Sequence, residues 1–68
     1  MTRGTRIIIT VAVETDDGDY AVMPLREGYV EGHHPDDLSR VWVQWTSGDR
    51  AGERQLLRAT QAARWVWR

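Results

Sequence analysis

The sequence predicts a single β-rich domain, a small antiparallel sheet or barrel of about five short strands with one helical turn. Three features of the 68 residues support this fold class. Apolar β-branched residues recur at a period of two near the N-terminus, and turns rich in Gly and Asp separate the strand-like segments. The C-terminus carries Trp-Val-Trp, which is typical of a strand. A chain this short forms one domain, which we place at residues 1–68.

The composition limits what can stabilise this domain. Hydrophobic residues make up 41% of the chain, which is enough to form a core rather than a disordered segment. There is no cysteine, so disulfides and thiolate metal sites are excluded, and a core of this size supplies roughly 3–5 kcal/mol. No apolar run approaches the length of about 18 residues that marks a membrane helix. We therefore expect a cytoplasmic protein that makes no membrane contact.

Residues 6–25 predict a β-hairpin. One apolar face of the first strand is formed by alternate residues: Ile7, Ile9, Val11 and Val13. Asp17-Gly18 predicts a two-residue turn, and residues 20–25 predict the return strand. Closing the hairpin there sets Val13 opposite Val22 and Val11 opposite Pro24, so that Tyr20 and Val22 extend the same apolar face.

Residues 26–40 predict a polar connection with one short helical turn that starts at Pro35. Within it, residues 33–37 (His-His-Pro-Asp-Asp) are the one cluster of metal-ligand types in the sequence. Adjacent histidines in a loop seldom point the same way, and no second ligand group has the spacing of a closed site. We therefore expect neither a metal nor a cofactor.

Residues 41–46 predict a third strand, with Val41, Val43 and Trp45 facing the core and Trp42 facing outward. After a turn at residues 47–52, two interpretations of the chain remain. In the first, residues 53–59 return as a strand that sets Val43 opposite Leu57 and Arg58 beside Trp42; a helical turn at residues 60–63 and a last strand at residues 64–67 follow. In the alternative, residues 53–64 form a C-terminal helix on a three-stranded antiparallel sheet, giving an α+β fold.

Residues 41–48 (VWVQWTSG), 56–59 (LLRA) and 62–66 (AARWV) together resemble the small β-barrels of the Src-homology-3 and Tudor type. The resemblance covers residues 41–68 and rests on residue classes, and the aromatic ligand cage of those domains does not map onto this chain. It implies a strand, turn, strand, helical turn and closing strand. It also implies a binding module for a peptide, a modified residue or a nucleic acid, without catalysis.

The sequence favours binding over catalysis. Ser39 and Ser47 lie in predicted turns without the neighbouring base that a nucleophile needs, and the chain has no lysine for a phosphate-binding loop. The charge runs from basic (residues 1–13) to strongly acidic (14–37) and back to basic (38–68), with a net charge of −1. We expect no catalytic residues.

The candidate site is a surface rich in arginine and tryptophan. A domain this small can hardly enclose three indoles, so at least one of the four tryptophans is expected on the surface among arginines. Its expected members are Trp42, Arg54, Arg58, Arg64, Trp65, Trp67 and Arg68. Trp and Arg are enriched in interface hot spots, which predicts a regulator or inhibitor that binds a protein, with a homodimer included. The alternative is a nucleic-acid-binding accessory protein using the same surface, which the acidic middle segment disfavours.

Overall fold

A computed structural model describes residues 1–67, which contain four strands and one short helix. The elements are β1 (Arg6–Glu14), β2 (Tyr20–His34), β3 (Asp37–Gly48), β4 (Arg54–Arg58) and α1 (Ala59–Ala63). The strands form one antiparallel sheet in the order β1-β2-β3-β4, which is not closed into a barrel. The β-rich antiparallel class with a single helical piece is confirmed. The alternative helix over residues 53–64 is wrong, because Arg54–Arg58 form β4 and the helix is limited to Ala59–Ala63.

The β1–β2 hairpin forms, but the predicted register is wrong by one residue in its outer half. Val13 lies opposite Ala21, and Val11 lies opposite Met23. The cause is the turn: the Thr15 N–H donates to the Asp19 carbonyl (2.7 Å), and Gly18 has a φ of 81°, so the loop spans residues 16–18. A bulge beyond Ile9 restores the expected register nearer the core.

This register places Tyr20 and Val22 on the face opposite to Val11 and Val13, contrary to the prediction. It also leaves residues 10–25 as a two-stranded projection, because β3 pairs with β2 only from Arg26 onward. We call residues 10–25 the arm. The arm accounts for the elongated shape of the molecule, whose principal extents are 49 × 22 × 16 Å.

Residues 26–34 continue β2 and are not the predicted polar connection. Gly28 and Val30 face the core, and Tyr29 between them faces outward. Irregularities in the β2–β3 pairing on either side of this segment interrupt the period of two, which explains why the sequence pattern concealed the strand. Pro35 lies in a tight turn and starts no helix, since the Asp36 N–H donates to Nδ1 of His34 (3.1 Å).

Strand β3 presents Val41, Val43 and Trp45 to the core, as predicted. Its pairing with β4 is shifted by two residues from the prediction, so that Val41, and not Val43, lies opposite Leu57. The shift arises in the turn, where the Trp45 N–H donates to the Glu53 carbonyl and the Gly52 N–H donates to the Trp45 carbonyl (both 2.8 Å), so that β4 begins opposite Gln44. A shift of two residues leaves each side chain on the same face of the sheet, so Leu57 is buried as expected.

The core lies on one face of the sheet beneath α1. Its buried members are Ile7, Val30, Val41, Val43, Trp45, Leu57 and Ala62. After α1 the chain reaches the edge of β1, where Val66 forms an isolated bridge with Ile7 and the Ile8 N–H donates to the Trp65 carbonyl (2.9 Å). The helical turn is therefore present, and the expected last strand is reduced to this bridge. Within residues 1–67, no helix is long and apolar enough to cross a membrane.

Candidate functional site

The sheet face opposite the core carries Trp42, as the sequence predicts. Its indole is half-buried, and the Arg54 guanidinium carbon lies 4.5 Å from the ring centroid. Nε of Arg54 donates to Oε2 of Glu31 at 2.9 Å, which fixes the guanidinium over the ring. A cation held over an indole by a carboxylate gives a compact site with aromatic and charged groups. We call this cluster, together with Leu56 and His34 next to the indole and Tyr29 on the same face opposite Gln44, the Trp42 face.

The register of three strands builds the Trp42 face. Trp42 lies directly opposite Leu56 in the β3–β4 pairing, so Arg54 is its diagonal neighbour on the same face. A bulge in β2 between Val30 and Gly32 lets Glu31 reach Arg54. The His34 ring lies 6.2 Å from the Trp42 ring at an interplanar angle of 33°. Both strands that flank β3 therefore contribute side chains around the indole.

Arg58 does not lie directly opposite Trp42, contrary to the prediction, and the cation over the indole is Arg54. The shifted register places Arg58 opposite Arg40, at the end of β4. There it lines a shallow cleft of about 330 Å³ together with Asp37, Ser39, Arg40, Ala59 and Thr60. In this cleft the hydroxyl of Ser39 donates to Asp37.

The predicted site residues near the C-terminus form a separate group. Trp65 is half-buried and packs against the core, whereas Trp67 is 57% exposed and donates its backbone N–H to the Arg6 carbonyl (2.9 Å). Arg64 is exposed at the C-terminal end of α1. Arg68 lies outside the described residues. The expectation that at least one tryptophan is exposed is confirmed by Trp67, but the structure does not join this group to Trp42.

Besides Leu56, three members of the Trp42 face escaped the sequence analysis: Tyr29, Glu31 and His34. All belong to the half of β2 that the sequence pattern assigned to a connection. Alternation of Glu27, Tyr29 and Glu31 around Gly28 and Val30 was the available signal. The other histidine, His33, lies within 2.8 Å of both the N-terminal nitrogen and the Leu38 carbonyl oxygen, so it ties the N-terminus to β3.

Two carboxylates have perturbed acidities. The pKa of Asp49 lies below its usual range because Nε and Nη2 of Arg26 each donate a hydrogen bond to it at 2.9 Å. The pKa of Asp37 is lowered mainly by the hydroxyl and the backbone N–H of Ser39, and further by the charge of Arg40. Both groups are therefore more easily ionised in the folded chain than in the unfolded chain.

These lowered pKa values predict a loss of stability in acid. The contribution of each carboxylate is complete above the unfolded pKa of about 3.9 and disappears as the pH falls through the lower folded pKa. Urea unfolding at a series of pH values should show the free energy of unfolding decreasing below about pH 4. Asp49→Asn should make this decrease shallower, whereas Asp17→Asn, which removes a charge from the tip of the arm, serves as the control. An unchanged slope in Asp49→Asn would contradict the assignment.

Comparison with known proteins found no match, so a function has to be proposed from the residues of this chain alone. No family model, no curated protein and no solved structure matches the chain. The resemblance to small β-barrels therefore stays a prediction.

Proposed function

We propose that this chain is a non-catalytic binding module that acts as a small regulator or inhibitor by contacting a protein through the Trp42 face. The observation that carries the proposal is the Arg54 guanidinium, 4.5 Å from the Trp42 ring on the side of the sheet away from the core. Trp and Arg are the residue types most enriched in interface hot spots. Tyr29, 41% exposed, extends the aromatic surface.

The Trp42 face is organised before a partner binds. Glu31 holds Arg54, and the indole is half-buried between β2 and β4 side chains. Ordering a long side chain on binding costs about 0.5–1.5 kcal/mol, so a guanidinium that is already fixed loses less. This arrangement favours a specific contact with a structured protein surface.

The pairing of the arginines favours a protein over a nucleic acid. Within the described chain, four arginines form ion pairs with carboxylates: Arg6 with Glu27, Arg26 with Asp49, Arg40 with Asp37 and Arg54 with Glu31. A nucleic-acid site needs basic side chains free to contact phosphates and displace counterions. Four of the eight arginines in residues 1–67, including Arg54 of the Trp42 face, therefore already have an anionic partner within the chain. Binding of a nucleic acid is therefore the result of the following test that would contradict the proposal.

The test compares two arginine variants as tagged baits in a nuclease-treated lysate of the host. Arg54→Ala removes the cation over Trp42, whereas Arg58→Ala removes the same side chain from the same face of the same strand, opposite Arg40, where it does not form the cation–π contact with Trp42. Wild type and Arg58→Ala should retain the same host protein, and Arg54→Ala should weaken its binding by about 2 kcal/mol, roughly 30-fold in Kd. Circular dichroism checks that each variant is folded.

Two results would contradict the proposal. One is an equal loss of the host protein from both variants, which would show that the contact is not centred on the Arg54–Trp42 pair. The other is bound material that disappears on nuclease treatment and whose affinity falls steeply with salt, which would establish nucleic-acid binding instead.

A further inference from the structure

The arm exposes an unusual amount of apolar surface for a two-stranded element. Of the nine large hydrophobic side chains exposed in residues 1–67, six lie on it. They are Val11 (41%), Val13 (45%), Tyr20 (72%), Val22 (71%), Met23 (50%) and Leu25 (43%). An isolated two-stranded hairpin is marginally stable in water, and concentrated apolar surface marks an interaction site. Pairing with a further strand, or a surface that covers these apolar side chains, would therefore stabilise the arm.

The two edges of the arm differ in their capacity to accept a strand. Ile8 donates its N–H away from β2, to the Trp65 carbonyl. Because such groups alternate along a strand, Thr10, Ala12 and Glu14 direct their backbone N–H and C=O groups along this same edge. No hydrogen bond from residues 1–67 occupies it beyond Ile8. The β2 edge instead contains Pro24, opposite Thr10, which has no N–H to donate and so interrupts pairing.

The residues of the β1 edge favour strand pairing. Residues 7–13 (Ile-Ile-Ile-Thr-Val-Ala-Val) contain no charge, no proline and no glycine, and nearly all are β-branched. A regular edge strand of this composition is a template for pairing with another chain.

Charge indicates that the occupant is a second copy of the chain. The arm carries four acids (Glu14, Asp16, Asp17 and Asp19) and no base, whereas the whole chain carries −1, so the remainder of the chain is net positive. Antiparallel pairing of two β1 strands brings the acidic tip of each copy to the other end of the partner strand. There the edge is closed by Trp65, and Arg64 is exposed next to it.

We propose that two copies of this chain associate through the free edge of β1, antiparallel about a twofold axis at Ala12. Thr10 of each copy lies opposite the second copy's Glu14, and Ala12 lies opposite its own equivalent. The two sheets become one continuous sheet, each arm gains two neighbouring strands, and each acidic tip lies beside the second copy's Arg64. Such an interface is isologous and closes as a dimer. It leaves both Trp42 faces open, so it is independent of the function proposed above.

The test uses two proline variants at the same level of the arm. Ala12 and Val22 are paired across the hairpin, and both direct their N–H groups outward, so either proline has the same local effect on the arm. Sedimentation velocity of the wild-type chain should give twice the mass of 7.9 kDa. Ala12→Pro should shift the protein to the monomer mass, and Val22→Pro should remain dimeric. A monomeric wild type, or equal dissociation by both prolines, would overturn the proposal.

Amide exchange and a charge reversal test the same edge without proline. In the wild-type dimer, the Ala12 N–H should exchange slowly and the Val22 N–H rapidly. Arg64→Glu should weaken the dimer, and high salt should weaken it in the wild type. Rapid exchange at Ala12, or an interface insensitive to Arg64→Glu, would contradict the arrangement.

Discussion

Replacing Trp45 by alanine is expected to unfold the domain. The side chain is 1% exposed and is the largest in the core, and its Nε1 donates to Oε1 of Gln55 at 3.1 Å. Arg26 lies over the same ring at 5.0 Å. Truncating a buried tryptophan costs about 3–5 kcal/mol, which equals the roughly 3–5 kcal/mol that a core of this size supplies. Far-UV circular dichroism and urea unfolding should show the loss of the cooperative transition.

Trp67→Ala is the matched control for Trp45→Ala. Trp67 is 57% exposed, and its recorded backbone contact, the hydrogen bond to Arg6, survives the change. The free energy of unfolding of the Trp67→Ala variant should stay within about 0.5 kcal/mol of the wild-type value, as for most surface substitutions. A cooperative transition of near wild-type stability in Trp45→Ala would show that Trp45 does not form the centre of the core.

The second large effect is expected for Gly48→Ala. Gly48 has a φ of 93°, and a Cβ there would lie 2.3 Å from the Leu25 carbonyl oxygen and 2.9 Å from the Arg26 Cα. Both neighbours are backbone atoms at the point where the arm joins the sheet, so the strands must separate to admit a methyl group. We expect a loss well above the roughly 1–2 kcal/mol of the left-handed conformation alone, and hence a largely unfolded chain.

Gly52→Ala measures the cost of the left-handed backbone conformation alone, without the steric clash expected at Gly48. Gly52 has a φ of 88°, but a Cβ there meets nothing within 4 Å. Its substitution should cost about 1–2 kcal/mol and leave a cooperative urea transition. Equal costs at the two glycines would contradict the close approach of β2 and β3 at Gly48.

Much of this fold can be predicted from local sequence patterns. The period of two locates β1 and β3 and assigns Val41, Val43 and Trp45 to the core, because burial of one strand face leaves a direct trace in the sequence. The registers could not be predicted in the same way. They depend on the length of the loop at residues 16–18, on bulges in β2 and on where β3 leaves β4. Each is settled by pairing between distant segments.

The candidate site shows the same division. Trp42 faces away from the core because it alternates with Val41 and Val43, and this follows from the sequence alone. Which side chains surround Trp42 depends on the strand register. The two-residue shift between β3 and β4 therefore places Arg54, and not Arg58, over the indole. Glu31 was missed because a bulge directs it toward Arg54.

The two tyrosines of the chain allow the most direct test of the Trp42 face. Tyr29 is 41% exposed on the same face of the sheet as Trp42, opposite Gln44, and Tyr20 is 72% exposed on the arm. A photo-crosslinking amino acid placed at either position, in nuclease-treated host lysate, reports which surface a partner covers. We expect the variant at position 29 to crosslink one discrete host protein, and the variant at position 20 to yield no adduct with that protein. Adducts with that protein from position 20 alone would contradict binding through the Trp42 face.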